Sequence, residues 1–143
     1  MLFRSSGPGL GNVYEFLRDT GRESEPAWLT DARAAGDPHA AITAADGKAP
    51  IASRALDLFI SIYGAEAGNL ALRYMATGGV YVAGGIAPKI RARFEDGRFL
   101  AAFRAKGRLA PLLRDTPVKL VLNERTALLG AALLASRHAA PVS

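Results

Sequence analysis

The stretch between Pro50 and Gly78 constrains the fold most. From Ile51 to Met75 it holds no proline, and Leu56, Phe59, Ile60, Tyr63, Ala67, Leu70 and Ala71 recur at three- and four-residue spacing. That period lines them up along one stripe of a helix. A stripe this long has to be covered by other elements, so the segment predicts a long buried core helix, either continuous or as two pieces joined near Gly64. The chain has the apolar material to cover it. Half of its 143 residues are hydrophobic and 22% are charged, which opposes intrinsic disorder and suits one domain.

The other elements follow from their own signals. Leu10, Val13, Tyr14 and Leu17 repeat at helical spacing behind a turn-rich start and predict a helix over residues 8–19. From Gly21 to Pro50 the chain is punctuated by Pro26, Gly36-Asp37-Pro38 and Asp46-Gly47. It reads as a loop-rich connector, with Thr30 and Asp31 as caps of a short helix to Ala35. Thr77-Gly78-Gly79 predicts a left-handed glycine cap on the core helix. Val80-Tyr81-Val82-Ala83 then predicts a buried strand, Gly84-Gly85 a sharp turn, and Ile86-Ala87-Pro88 the opening of a basic helical stretch. Helices over 97–105 and 108–114, a strand over 118–122 behind Pro117, and a closing helix from Arg125 to His138 complete an α-rich α/β chain with few strands.

Charge is uneven. The formal net charge is +5, yet residues 1–50 carry 5 basic and 7 acidic groups while 51–143 carry 13 and 6. Between Ile86 and Arg114, eight Lys and Arg face only Glu95 and Asp96. A nucleic-acid surface is one reading of such a stretch. However, its aromatics include Phe99 and Phe103, four residues apart as on a buried helix face, so a solvated basic face is the preferred reading and nucleic acid an unlikely partner. The absence of cysteine excludes disulfide frameworks, zinc ribbons and thiolate nucleophiles, and fits a reducing compartment. No apolar run approaches the roughly 20 residues of a membrane span, and Met1 to Leu10 lacks the layout of a signal peptide; the expected location is cytoplasmic.

Most candidate motifs fail on spacing. Gly7-Pro8-Gly9-Leu10-Gly11 is not followed by Gly-Lys-Ser/Thr and has Asn12 where a dinucleotide fingerprint needs its third glycine, so it reads as a helix-opening turn. His39 and His138 stand alone in sequence, which gives no metal site, and no Ser, His and Asp set suggests a triad. Leu128 to Ala135 carries small residues that would allow close helix approach, read as tight packing or as a hinge. The strand ending in Gly84-Gly85 is the informative element. Two glycines at the end of a buried strand let backbone lie flush against a flat ring or a phosphate, or else serve only a tight turn.

Taken in order, Ser6-Gly7-Pro8-Gly9-Leu10, then Tyr63-Gly64-Ala65-Glu66-Ala67-Gly68-Asn69-Leu70-Ala71-Leu72, then Gly78 to Pro88 closely resemble bacterial glucokinase. Phe103 to Arg108, Pro117-Val118 and Leu129-Gly130-Ala131-Ala132 agree with that family as well, so the resemblance spans nearly the whole chain. It implies an actin-like, ribonuclease H-like ATPase fold, in which two α/β lobes close on ATP and glucose and pass the γ-phosphoryl group to the glucose 6-hydroxyl. By the same resemblance, Gly84 and Gly85, with Ile86 beside them, bind the adenosine of ATP. The helix around Gly130 is the second connecting helix at the interdomain hinge.

The resemblance also implies what this chain does not carry. The family's N-terminal phosphate-binding stretch, its catalytic Asp, its second phosphate loop and its Glu-x-x-His sugar contacts lie upstream of the Ser-Gly-Pro-Gly stretch. Where the family has a further glucose-binding Glu and then Arg, this chain has Leu2 and Phe3. Residues 1–143 are therefore expected to be the C-terminal portion of a glucokinase domain, part of its C-terminal lobe, without a catalytic residue or metal ligand of its own. The implied cofactor is ATP, with magnesium in the complete enzyme. Its partners there are ATP, glucose and a missing N-terminal half, and the portion alone is expected to be inactive and to expose an unusually large apolar surface. The alternative is a non-catalytic regulatory or binding module that retains the lobe fold.

Overall fold

The expected core helix is continuous. In the structure, a computed structural model describing residues 7–138, it forms α4 over Pro50–Arg73 without a break at Gly64. Ahead of it come α1 (Gly7–Asp19), α2 (Ala27–Ala35) and α3 (Pro38–Ala44). Behind it come β1 (Val80–Val82), a 3-10 turn (Pro88–Ile90), α5 (Arg91–Glu95), α6 (Arg98–Arg104), α7 (Ala110–Arg114), β2 (Val118–Leu120) and α8 (Thr126–His138). The two strands pair in parallel, Val80 opposite Val118 and Val82 opposite Leu120.

Three details differ from the sequence reading. α2 starts at Ala27 behind Pro26, so Thr30 and Asp31 lie inside it rather than capping it. The connector contains α3, which starts where Asp37 accepts a hydrogen bond from the His39 backbone N–H at 2.9 Å, with Pro38 in the first turn. An acceptor at the cap followed by a proline that needs no partner is a helix start, although the same Gly-Asp-Pro also spells a turn. Finally, the left-handed residue closing α4 is Met75, φ 48°, and not a glycine. The Ala76 and Met75 N–H groups donate to Ala71 and Leu72 carbonyls at 2.9 and 3.2 Å, the paired bonds of a Schellman ending.

Leu56, Phe59 and Ile60 of α4 are wholly buried among Leu10 and Tyr14 of α1, Leu29 of α2, Ile42 of α3, and Phe99 and Phe103 of α6. α6 sits unusually close to α4. A Cβ built on Gly64 or Gly68 would run into the carbonyl oxygen of Phe99 or Phe103. These two glycines, one helical turn apart, let backbone meet backbone. Lys106 then clamps the pair, its Nζ donating to the Ala65 carbonyl and to Asn69 Oδ1, both at 2.7 Å. Around Tyr63, the rings of Phe59, Phe94 and Phe99 meet edge-on at 5.7–5.9 Å, a favoured aromatic arrangement.

Most of the basic stretch is exposed, as expected, with Arg93 and Lys106 the partly buried exceptions. Arg93 holds Asp46 at the foot of α3 and Asp57 of α4, and Arg98 reaches Asp57 and Asp96 at 3.3 Å. Near the start, Glu25 accepts from Tyr14 Oη at 2.9 Å and Arg33 Nη1 at 2.8 Å, and the Arg33 guanidinium lies 4.5 Å from the Tyr14 ring centroid. Burial, with the Glu25 carboxylate beside it, pushes the Tyr14 phenol far up. By contrast α8 has no buried residue, and Leu128, Leu129, Leu133 and Leu134 are 54–70% exposed.

Two measurements test this packing. Gly64→Ala should lower stability by about 1–3 kcal/mol, the usual range for overpacking, despite alanine's higher helix propensity. Gly130→Ala, with nothing within 4 Å of the new Cβ, should be neutral or stabilising by up to about 1 kcal/mol; urea unfolding reads both. The second concerns acid. The hydrogen bond from Arg93 holds the Asp46 carboxyl below the ordinary carboxylate range. A depressed folded pKa adds stability that is complete above the unfolded pKa of about 3.9 and is lost as pH falls through the lower folded value. The urea midpoint should therefore drop below about pH 4, and less steeply in Asp46→Asn.

Candidate functional site

β1 delivers the chain to a turn anchored at one end only. Ala87 and Ile90 are buried, and the Ile86 carbonyl accepts from the Lys89 and Ile90 N–H groups at 3.1 and 3.2 Å, closing the 3-10 turn behind it. Ahead of that anchor Gly84 and Gly85 stand exposed. The two glycines differ. Gly84 has φ +124°, a conformation that a side chain adopts only under strain. Gly85 is not among the positive-φ residues, and a Cβ placed on it would meet nothing within 4 Å. The turn thus accounts for Gly84, while no described residue demands a glycine at 85.

Gly85 and Ile86 form one side of a cavity of about 180 Å³. The rest of its lining comes from Asp37 at the cap of α3, His39 and Thr43 within it, Gly7 of α1 and Lys89. The imidazole of His39 is seated on α1: a Cβ on Gly11 would lie 2.8 Å from its Cε1, and one on Gly7 3.2 Å from its Cδ2. His39 Nδ1 is buried there without a hydrogen-bond partner. The glycine-rich start is therefore not only a helix-opening turn. Gly7 and Gly11, a helical turn apart, make room for an aromatic ring from α3. Thr43 Oγ1 donates to the His39 carbonyl at 3.0 Å, which leaves its lone pairs free to accept. The backbone N–H groups of His39 and Ala40 hold the Asp37 carboxyl below its usual range.

Of the residues singled out in the sequence, Gly85 and Ile86 come together at this cavity, and Gly84 shapes the turn without lining it. Asp37, His39, Thr43 and Lys89 were not foreseen there. The one signal for three of them was the Asp-Pro helix start, which places His39 and Thr43 four residues apart on α3. His138 lies at the end of α8 with Nδ1 2.9 Å from the Leu134 carbonyl, and among the described residues no three His, Asp or Glu side chains gather as metal ligands. Gly130 packs against nothing in the described structure, so the tight packing expected there is not seen. Leu2, Phe3 and Ser6 lie outside the described residues. In chemical terms the lining combines open backbone and an apolar Ile86 with an imidazole, a hydroxyl and a cation.

The contrast between the two glycines is testable in the isolated chain. Gly84→Ala should destabilise by about 1–3 kcal/mol through backbone strain. Gly85→Ala should leave the melting temperature within a degree or two, on the order of the change for a neutral surface substitution.

Comparison with known proteins finds one family along nearly the whole chain. The family described as Glucokinase matches residues 4–138. A glucokinase of a Nostoc strain is 46% identical over 145 residues, with 92% of this chain and 42% of that protein covered. A glucokinase of a Caulobacter strain is 39% identical, with 90% of this chain and 36% of that protein covered. Among solved structures, a glucokinase from an Antarctic psychrotroph superposes with a TM-score of 0.70 at 28% identity, over 92% of this chain and 39% of its own. The chain thus spans less than half the length of the relatives it matches. With the fold, the helix-rich pattern and the family match in agreement, the chain belongs to the glucokinase family.

Proposed function

We propose that this chain is the C-terminal portion of a glucokinase and supplies the nucleotide-base side of its active site, in an enzyme that transfers the ATP γ-phosphoryl group to glucose. One observation carries the reading. Gly85 has neither a backbone angle nor a neighbour that requires glycine, yet it lines a cavity at the end of a parallel strand. In open α/β sheets, ligands bind at the carboxyl ends of the strands. A flat heterocycle resting on Gly85 and Ile86 supplies the missing reason for the glycine. Thr43 can then accept from the ring's amino edge, and Lys89, also in the lining, supplies a cation for the phosphates.

The residues fit the base of ATP, but they do not provide the rest of the chemistry. Phosphoryl transfer depends on positioning and on charge stabilisation around the phosphates and their magnesium, and no residue of this chain is assigned to the metal or to a general base. Its contribution is to hold and orient the nucleotide. The complete enzyme, working where ATP is abundant, is placed in the cytoplasm.

The chain alone should not phosphorylate glucose in a preparation free of host hexokinases, and should do so when the remaining portion of a glucokinase is supplied. In that reconstituted enzyme Gly85→Ala should raise the apparent KM for ATP at least several-fold, with that for glucose little changed. Turnover by the isolated chain would overturn the reading. Equal losses for both substrates, in step with loss of folded protein, would make Gly85 a purely structural residue. Nucleotide binding without turnover in any reconstitution would favour the non-catalytic module.

A further inference from the structure

Thr43 lines the cavity with its hydrogen-bonding already half committed. Its Oγ1 donates to the His39 carbonyl at 3.0 Å, the back-bond that a helical threonine commonly makes to the residue four before it. A hydroxyl has one proton and two lone pairs, so in this state Thr43 offers the cavity acceptors and no donor. Taken alone, that bond is ordinary helix chemistry. What sets Thr43 apart is that it shares the cavity with Gly85, whose glycine neither a backbone angle nor a described neighbour requires. His39 lines the cavity as well, four residues away on the same face of α3. Its Nδ1 is buried and without a hydrogen-bond partner, so the nitrogen that the ring can offer a ligand is Nε2. A proton on Nδ1 would make an orphaned buried donor, which folded proteins rarely contain. The tautomer with its proton on Nε2 avoids this and makes Nε2 a donor.

We infer that Thr43 is the residue by which this cavity tells a 6-aminopurine from a 6-oxopurine. This rests on the reading of the cavity as the nucleotide-base site. The edge of adenine presents an amino donor beside a ring-nitrogen acceptor, where guanine presents an oxo acceptor beside the same nitrogen. An acceptor from Thr43 with a donor from His39 matches the first pattern. Against the second, Thr43 Oγ1 would meet the oxo group acceptor to acceptor, and turning the hydroxyl round would forfeit its bond to the His39 carbonyl. A site built to hydrogen-bond one group rejects an analogue that lacks it, because its own polar atoms are then left unpaired. Ile86 and the bare backbone of Gly85 meet either purine alike, so they add affinity without choosing between the two. The Asp37 carboxylate is an acceptor too, but the backbone N–H groups of His39 and Ala40 hold it at the helix cap. Lys89 is the lining side chain that would favour the opposite choice, since an ammonium donates to an oxo group and not to an amino group.

The test titrates the full chain with ATP and with inosine triphosphate, which carries an oxo group where adenine has its amino group, and follows binding by NMR at the Gly85 and Thr43 amides. ATP should bind at least about fivefold more tightly. Thr43→Val keeps the branched shape without the hydroxyl, and should bring the two affinities to within about twofold, chiefly by weakening ATP. Thr43→Ser keeps the hydroxyl and should keep most of the preference. Melting temperatures check the fold of each variant, and should Thr43→Val prove unstable, Thr43→Ala, the better helix former, takes its place. Equal affinities in the unaltered chain, or a preference that the loss of the hydroxyl leaves intact, overturn the inference. So does a preference for inosine triphosphate, which would make Lys89 the base contact. All three leave the cavity a nucleotide-base site. No binding of either nucleotide at millimolar concentration, or shifts confined to residues away from the cavity, overturn the functional reading and the inference with it.

Discussion

The close approach of α6 to α4 is the contact on which the other packing depends. A helix pair normally keeps its axes 8–10 Å apart because side chains intervene. At Gly64 and Gly68 none does, and the Phe99 and Phe103 carbonyls fill the space where Cβ atoms would be. That seat fixes α6 along α4 to within a fraction of a turn. It brings both phenylalanine rings into the core, and it carries the chain from β1 back under the sheet, so that β2 can return beside it.

From there the candidate site inherits its geometry in two steps. Arg93, just ahead of α6, ties Asp46 at the end of α3 to Asp57 on α4. Half-buried pairs of this kind fix orientation more than they add to stability. The start of α3 is located separately, by the His39 ring seated against Gly7 and Gly11 of α1. α3 is thus held at both ends, and its His39 and Thr43, with Asp37 at its cap, line the cavity together with Gly85 and Ile86.

How much of this was legible in the residues depended on whether the signal was local. α4, the strand at 80–82 and the closing helix could be read because periodicity and β-branching act within a few residues. α3 could not, because Gly36-Asp37-Pro38 and Asp46-Gly47 spell turns as readily as they spell the two ends of a seven-residue helix. Gly64 left a break open as an alternative because a glycine inside a helix weakens it; its role depends on Phe99, distant in sequence. The left-handed ending at Met75 was displaced onto the nearby glycines for the same reason, since the preference is local and the constraint is not. The resemblance to glucokinase supplied the family and pointed to Gly84, Gly85 and Ile86. Only the three-dimensional arrangement separated the first two and added His39, Thr43 and Lys89.

That separation has a consequence for how such a chain changes over time. Position 84 is held by the requirement to fold, because its backbone angle excludes other residues whether or not anything binds. Position 85 answers to no such requirement among the described residues, so on the proposed reading what keeps it glycine is occupancy of the cavity. A lineage that stopped using the nucleotide would go on purging side chains at 84 while position 85 drifted freely, and the two adjacent glycines would then record, one residue apart, the history of the fold and the history of the ligand.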